Sequence, residues 1–416
     1  MHVVVAGGGV AGLEGLLALR AYAGARLDLT VVAADPDFTY RPLAVAEPFA
    51  LGHAYRVPLE RFAEEAGAEL VIDATVGVDD GARELRLRDG GTRSFDSLLV
   101  APGAHPVAGL DGATTWWPGG DPESYGGLLR DMDEGYAKRI AIVIPPGAVW
   151  PLPAYELALM TAGEARDMGH DDVTVTVVTP ERRALSLFGD EASEAVTEEL
   201  RNAGITLKIG AVARRDKDGL VLEPGGDRVD AQRVFAVPRL LGPALDGLPA
   251  DEEGFIVTGD DGRVEGCAHT WAAGDAVVSP LKFGGLATHQ ARLAAARIAD
   301  AAGAADVPDP GEPVLHGRLL VGHGTRRLRG RGDADGAPLW WPQGKIAGEF
   351  LPRWLTEHGV TPPAAEEPEA GITIHRPLRE LPSHELEYLH GLARDFRSGD
   401  PAIASLGRQM RRARER

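Results

Sequence analysis

The first residues whose spacing implies chemistry are Gly7, Gly9 and Gly12, in the stretch MHVVVAGGGVAGLEGLLALR from Met1 to Arg20. Val3, Val4 and Val5 read as a buried strand. Val10, Leu13, Leu16, Leu17 and Leu19 then fall at helical spacing, so the glycines occupy a strand-to-helix turn. In such a turn the first glycine permits the bend, the second lets backbone N–H groups approach a pyrophosphate, and the third lets the helix pack on the strand. The pyrophosphate charge then rests on the positive end of the helix. With 53 glycines among 416 residues, this spacing alone arises about once by chance, and its weight comes from the flanking strand and helix.

Leu27 to Ala33 reads as the next strand. An acidic residue that holds a ribose usually ends this strand, about 20 residues past the glycines. Ala33 and Ala34 stand there instead, and Asp35 follows: it either reaches the ribose or caps the turn with Pro36. Ala68 to Asp79 alternates as a strand. Leu85 to Leu87, a turn at Asp89 to Gly91, and Phe95 to Pro106 complete a β-meander followed by a buried strand.

From Arg139 a second strand–turn–helix–strand unit begins, in the right order for another nucleotide domain. Its turn carries Pro145, Pro146 and Gly147 in place of a glycine fingerprint, and prolines lack the N–H donors a pyrophosphate needs. Glu181, after the following strand, is a candidate ribose acid there. The chain then returns through TWAAGD (Thr270 to Asp275) to a helix starting near Ala287.

The totals bound the rest. A length of 416 residues suggests two or three domains, and 44% apolar residues suit a globular protein. No run of 18 apolar residues occurs, and Met1 leads directly into a strand, so we expect neither a signal peptide nor a spanning helix and a cytoplasmic location. A net charge of −19 argues against nucleic acid as a partner. Basic runs at Arg326 to Arg331 and Arg408 to Arg416 are solvated surface or contacts with anionic headgroups at the inner face of a membrane. Cys267 is the only cysteine, which excludes an intrachain dithiol relay, and it reads as a buried apolar side chain. No histidine spacing suggests a metal.

Taken together, the glycine turn, the strand exit at Ala101, Pro102 and Gly103, and the Ala273–Gly274–Asp275 run resemble the three flavin signatures of the flavoproteins with two dinucleotide-binding domains, the pyridine nucleotide-disulfide oxidoreductase superfamily. The second signature reads ATG in the family where this chain has Ala101, Pro102 and Gly103. The resemblance covers residues 1 to 355 and implies an α/β fold: two Rossmann-like three-layer domains, the FAD domain split by the insertion, plus a C-terminal α/β segment. The expected boundaries are 1–118 and 244–310 for the FAD domain, 119–243 for the inserted domain, degenerate for NAD(P), and 311–416 for the C-terminal region. FAD is the implied cofactor, with contacts from Gly7, Gly9, Val10, Ala11, Gly12, Asp35, Arg41, Pro42, Val76, Ala101, Pro102, Gly103, Gly274, Asp275, Ala287 and Gln290. In the family the aspartate matched by Asp275 accepts hydrogen bonds from the ribityl chain, and the helix after it points its N-terminus at the pyrimidine end of the isoalloxazine.

Within the superfamily the chain looks most like the sulfide:quinone oxidoreductase and flavocytochrome c sulfide dehydrogenase branch, with type II NADH dehydrogenases a step further away. The carrying residues are PPGAVWPLPAYELAL (Pro145 to Leu159) and PLKFGG (Pro280 to Gly285). Where these relatives keep a redox cysteine, Trp150 stands, so their persulfide chemistry does not carry over. Glu156 is a candidate acid/base group, or an exposed glutamate early in a helix. Lys282 is a candidate cation beside the flavin, or a solvated loop lysine. Gln290 offers a hydrogen bond to a flavin or quinone carbonyl, and His289 reads as structural. Trp340, Trp341, Phe350, Leu351, Trp354 and Leu355 form an apolar pocket, a membrane-surface patch or core, and Pro362 to Gly371 reads as a linker. The expected function is an FAD-dependent oxidoreductase moving electrons from a small-molecule donor to a small-molecule acceptor, a quinone by resemblance. The alternatives are an NAD(P)H dehydrogenase, and a non-catalytic scaffold whose homodimer or C-terminal segment binds a partner.

Overall fold

The computed structural model describes residues 1–51, 54–311, 313–320, 345–361 and 372–377. Its first sheet is fully parallel, in the spatial order Thr270–Ala272, Ser97–Val100, His2–Ala6, Asp28–Ala33, Ala68–Ile72. The unbroken Val3–Val4–Val5–Ala6 run follows from coverage on both faces. Val3 and Val5 point into a cluster with Leu13 and Leu16 of the helix Val10–Ala23 and Ala291 and Ile298 of the helix Gly284–Ala301. Val4 and Ala6 point the other way, onto Val78, Leu85 and Leu87 of the meander Thr75–Asp79, Glu84–Leu87, Thr92–Ser94.

The second sheet repeats this plan, in the order Thr114–Thr115, Arg233–Ala236, Arg139–Val143, Thr174–Val178, Thr206–Lys208, again parallel. Ile140 and Ile142 face the helices Pro122–Asp133 and Leu152–Asp167. Ala141 and Val143 face Leu220 and Leu222 of the antiparallel sheet Val212–Asp216, Gly219–Glu223, Arg228–Asp230. The chain leaves and re-enters the first unit through adjacent strands, His105–Val107 and Arg239–Leu241. Two Rossmann-like units, the second inserted into the first, are therefore present. Thr114–Thr115 already pairs in the second sheet, a few residues before the expected crossing at 118.

Local boundaries differ from the sequence expectations for identifiable reasons. The alternating stretch from Ala68 to Asp79 is two strands, because Asp73 and Ala74 turn the chain out of the parallel sheet: the Asp73 carboxylate accepts from the Ala74 N–H at 2.6 Å and the meander begins at Thr75. The helix expected near Ala287 starts at Gly284. In the C-terminal region Val314–Leu319 pairs antiparallel with Ile372–Pro377. Of the C-terminal aromatic group, Leu351, Trp354 and Leu355 are buried with the partly buried Phe350 against the first unit, Trp354 stacking on Phe62 at 3.8 Å. They are core, and form neither an open pocket nor a surface patch. Trp340, Trp341, the basic runs and the Pro362 to Gly371 stretch lie outside the described residues.

Candidate flavin-binding and redox site

The three turn glycines are required for different reasons. Gly7 has φ +143°, and a Cβ there would sit 2.0 Å from the Ala101 carbonyl oxygen. A Cβ on Gly12 would stand 1.9 Å from the Gly7 oxygen, so turn and helix are in backbone contact. Gly9 is exposed with nothing within 4 Å of such a Cβ, which leaves an open approach to the start of the helix Val10–Ala23. No side chain caps that helix. Open space over an uncapped helix N-terminus, at Val10, Ala11 and Gly12, is the arrangement a pyrophosphate fits.

The other signatures converge on this turn. The Ala101 N–H donates to the Ala6 oxygen at 2.7 Å, and Gly103, at φ +82°, faces open space after Pro102. Gly274 (φ +79°) meets both ends of the site: a Cβ there would be 2.9 Å from that of Ala11 and 3.7 Å from that of Ala287. Asp35 is exposed just past Ala33, and no hydrogen bond from it to the turn occurs among the described residues, so the capping role with Pro36 is not taken. Val76 is 41% exposed in the meander. Pro42 is half-buried, while Arg41 is exposed and lies over the Trp117 ring at 5.8 Å.

Asp275 is the chemically loaded residue of the third signature. Its carboxylate is half-buried and accepts no hydrogen bond among the described residues; burial raises its pKa, while Lys282 and Arg41 oppose the rise. A partly desolvated acceptor without a protein donor suits the hydroxyl groups of a ribityl chain. Lys282 is buried rather than solvated: Nζ donates to the Val277 carbonyl at 2.5 Å and stands 3.9 Å from the Phe255 ring centroid. Burial lowers its pKa to about 8, against the pull of Asp275, Asp251 and Glu253. Gln290 accepts from the Gly274 N–H at 2.9 Å, so its carbonyl holds the loop and its amide N–H groups are left for a ligand.

His289 is buried, and burial with the nearby Arg292 pushes its pKa down from 6.5 to about 4. The imidazole stays neutral in the fold where the unfolded chain would already take up a proton. Stability is therefore lost as pH falls from 6.5 towards 4, by up to about 3 kcal/mol from this group. Urea midpoints of wild type and His289→Gln measured across that range should converge on acidification. Parallel curves would contradict the assignment.

The inserted domain has no comparable cradle. Its turn runs Pro145, Pro146, Gly147 (φ +82°), and the helix Leu152–Asp167 has Pro151 at its N-cap and Pro153 in its first turn. Trp150 stacks on Phe283 at 4.9 Å and 17°, with Phe188 edge-on at 5.8 Å. Phe283 is the N-cap of the helix Gly284–Ala301, so the indole stands beside the helix end expected to face the isoalloxazine. Glu181 is turned into the domain: it is buried and accepts from the Tyr155 hydroxyl at 2.5 Å and the Thr179 hydroxyl at 2.9 Å. A buried carboxylate so engaged is not a ribose acid. Cys267 packs, partly buried, on the meander cluster of the first unit, where burial and Asp80 push its thiol pKa up. Such a thiol is a poor nucleophile. Among the described residues no group of three or more His, Cys, Asp or Glu is placed to hold a metal.

Glu156 is neither exposed nor free. It is buried, its oxygens lie 2.7 and 2.9 Å from the Lys345 Nζ, and one also accepts from the Leu320 N–H at 2.9 Å. Burial raises its pKa and Lys345 opposes the rise. Lys345 escaped the sequence reading, as did Glu14, a fully buried carboxylate on the helix Val10–Ala23. The signal for Glu14 was legible: an acidic residue within the apolar run Leu13 to Leu19 needs a buried partner.

Comparison with known proteins identifies the family. The pyridine nucleotide-disulphide oxidoreductase family matches residues 1–303, and the chain belongs to it. Its members are FAD-dependent oxidoreductases, and the cradle described above fits FAD. An NADH dehydrogenase-like protein of Mycobacterium tuberculosis is 28% identical over 302 residues, 67% of this chain and 74% of that one. Among solved structures, the sulfide:quinone oxidoreductase of Aquifex aeolicus superposes with a TM-score of 0.68 at 19% identity, covering 78% of this chain and 82% of that one. A NAD-dependent persulfide reductase from A. fulgidus gives 0.57 at 21% identity over 77% and 62%. At these identities the structural likeness concerns the fold.

Proposed function

We propose that the protein passes electrons from a small-molecule donor through FAD to a quinone-type acceptor, without thiol chemistry. The observation that carries this reading is the Trp150–Phe283 stack at the flavin-facing helix end, combined with the place of Cys267, partly buried against the meander cluster of the first unit. An indole in van der Waals contact with a phenyl ring provides no leaving group and no disulfide. It provides an apolar wall suited to a flat, apolar ring. The quinone rests on that wall and on the likeness to the sulfide:quinone oxidoreductase fold.

In this reading Gly7, Gly9, Val10, Ala11 and Gly12 hold the pyrophosphate, with Arg41 and Pro42 beside it. Asp35 and Val76 hold the adenosine end. Asp275, Gly274 and Ala287 hold the ribityl chain, and Ala101 to Gly103 line the turn beneath. When bound, FAD supplies the two-electron redox chemistry. Lys282 contributes positive charge at the pyrimidine end, and Gln290 contributes its amide N–H groups. Glu156 acts as an acid/base group only together with Lys345, since any proton it moves is shared across their ion pair. No described helix is long and apolar enough to cross a membrane. Contact with an anionic membrane surface falls to the basic runs Arg326 to Arg331 and Arg408 to Arg416, because Leu351, Trp354 and Leu355 are buried and Phe350 is partly buried.

The second reading, an NADH dehydrogenase, is favoured by the name of the mycobacterial relative. One anaerobic experiment separates the two. NADH or NADPH mixed with the yellow protein should leave its visible band intact, for want of N–H donors at Pro145, Pro146 and Pro151, and dithionite-reduced protein should be reoxidised by a soluble quinone analogue. Bleaching by NADH within seconds would establish the second reading. A colourless protein without turnover would leave a scaffold.

A further inference from the structure

Residues Lys345 to Leu351 run as a continuous strap over three parts of the fold. At one end Lys345 reaches Glu156 of the inserted domain. Ile346 then packs on Gly284, where a Cβ would stand only 2.9 Å from its Cγ1. The Ala347 carbonyl accepts from the Thr288 hydroxyl, one turn further along the same helix. Gly348 is exposed, and a Cβ there would stand 3.0 Å from Pro352 and from Thr288 and 3.2 Å from Glu14. Finally the Glu349, Phe350 and Leu351 N–H groups all donate to the Glu14 carboxylate, at 2.8, 3.2 and 2.6 Å. Arg292 lies between the two glutamates, 3.5 Å from Glu14 and 3.0 Å from Glu349.

Glu14 has no exposed surface and sits one turn beyond Gly9, on the helix whose N-terminus forms the cradle. A buried carboxylate persists only where donors surround it, and those of Glu14 are the strap N–H groups, with the Arg292 charge 3.5 Å away. The strap in turn holds Gly284 and Thr288, the first turns of the helix expected to face the flavin ring. The same seven residues thus link the pyrophosphate helix, the flavin-facing helix and the inserted domain.

We propose that the Lys345–Leu351 strap governs FAD retention, with Glu14 as the positioning residue that seats it. Releasing the strap lets the N-terminus of Gly284–Ala301 and the inserted domain move away from the glycine turn, and FAD then leaves. The inference rests on FAD occupying that turn: a colourless wild-type protein would sink that reading, whereas the outcomes below concern the strap alone.

The test is the rate at which FAD leaves the holoprotein, followed by the rise in flavin fluorescence, in wild type, Glu14→Gln and Lys345→Met. In Glu14→Gln either amide orientation sets an NH2 group against a strap N–H, because both carboxylate oxygens are occupied. Its FAD should leave about tenfold faster, as loss of one charge-assisted hydrogen bond implies, with an altered shape of the bound flavin band. Trypsin should cut after Lys345 in Glu14→Gln and in flavin-stripped wild type, and far more slowly in the wild-type holoprotein. Lys345→Met should speed release while leaving the Glu14 contacts in place. Release at the wild-type rate from Glu14→Gln, with or without new cleavage, would overturn the proposal. Should Glu14→Gln fail to fold, Thr288→Val removes the hydroxyl that reaches the Ala347 carbonyl of the strap and the Gly285 carbonyl of its own helix: release about threefold faster supports the strap, and an unchanged rate refutes it.

Discussion

Gly12→Ala is expected to purify without flavin. The added methyl would stand 1.9 Å from the Gly7 carbonyl oxygen, and both partners are backbone atoms. Gly7 cannot yield, since its own φ of +143° and its approach to the Ala101 carbonyl fix the turn from the other side. The helix Val10–Ala23 must therefore move off the strand His2–Ala6, taking with it the N–H groups that meet the pyrophosphate. Overpacking of this kind costs about 1 to 3 kcal/mol even where side chains share the strain, so a loss of FAD affinity of about 5-fold to 150-fold follows. Gly9→Ala is the informative control. Nothing in the protein lies within 4 Å of its added methyl, so it should fold normally and lose FAD only by occupying the approach to the cradle. The ratio of visible to ultraviolet absorbance, with far-ultraviolet circular dichroism to report folding, reads both variants. A fully yellow Gly12→Ala would remove the pyrophosphate from this turn.

Lys282→Met is expected to lower the reduction potential of the bound flavin. Reduced flavin is anionic at N1 and C2=O, and a unit charge about 4 Å away contributes on the order of 1 to 4 kcal/mol between water-like and protein-surface dielectric. For a two-electron couple this amounts to about 20 to 90 mV. Lys282 is held for such a role, with Nζ tied to the Val277 carbonyl and its charge balanced by Asp275. The sign of the pH dependence follows from its pKa of about 8. Below that pH the amine is charged and the potentials of wild type and variant differ; above it the charge is lost and the difference shrinks. Spectroelectrochemical titration on both sides of pH 8 measures this, and equal potentials at neutral pH would assign Lys282 a purely structural place.

Much of the cofactor site was legible because its signals are short. The glycine turn, the Ala101 to Gly103 exit and the Ala273 to Asp275 run each announce themselves within a few residues, since backbone conformation and close approach are local demands. The prolines of the inserted domain were equally legible, because a missing N–H is a property of the residue itself. Side-chain roles were less so. Lys282 and Glu156 read equally well as solvated charges, and burial alone distinguished them. Gln290 reads as a ligand group, yet its carbonyl is engaged by the Gly274 N–H, a partner set by how the loop folds back on the helix.

The amino-acid order by itself determined the two strand–turn–helix units, their nesting, the flavin signatures and the absence of a second cysteine. Periodicity, turn chemistry and composition are carried by neighbouring residues and survive without knowledge of the fold. Only the tertiary structure decided that Trp150 stacks on Phe283, that Glu156 pairs with Lys345 across 189 positions, and that Glu14 seats a strap 337 positions away. Pairings at such separations depend on chain closure rather than on local propensity. A charged residue in an apolar run signals that it requires a partner, and the fold alone selects which one.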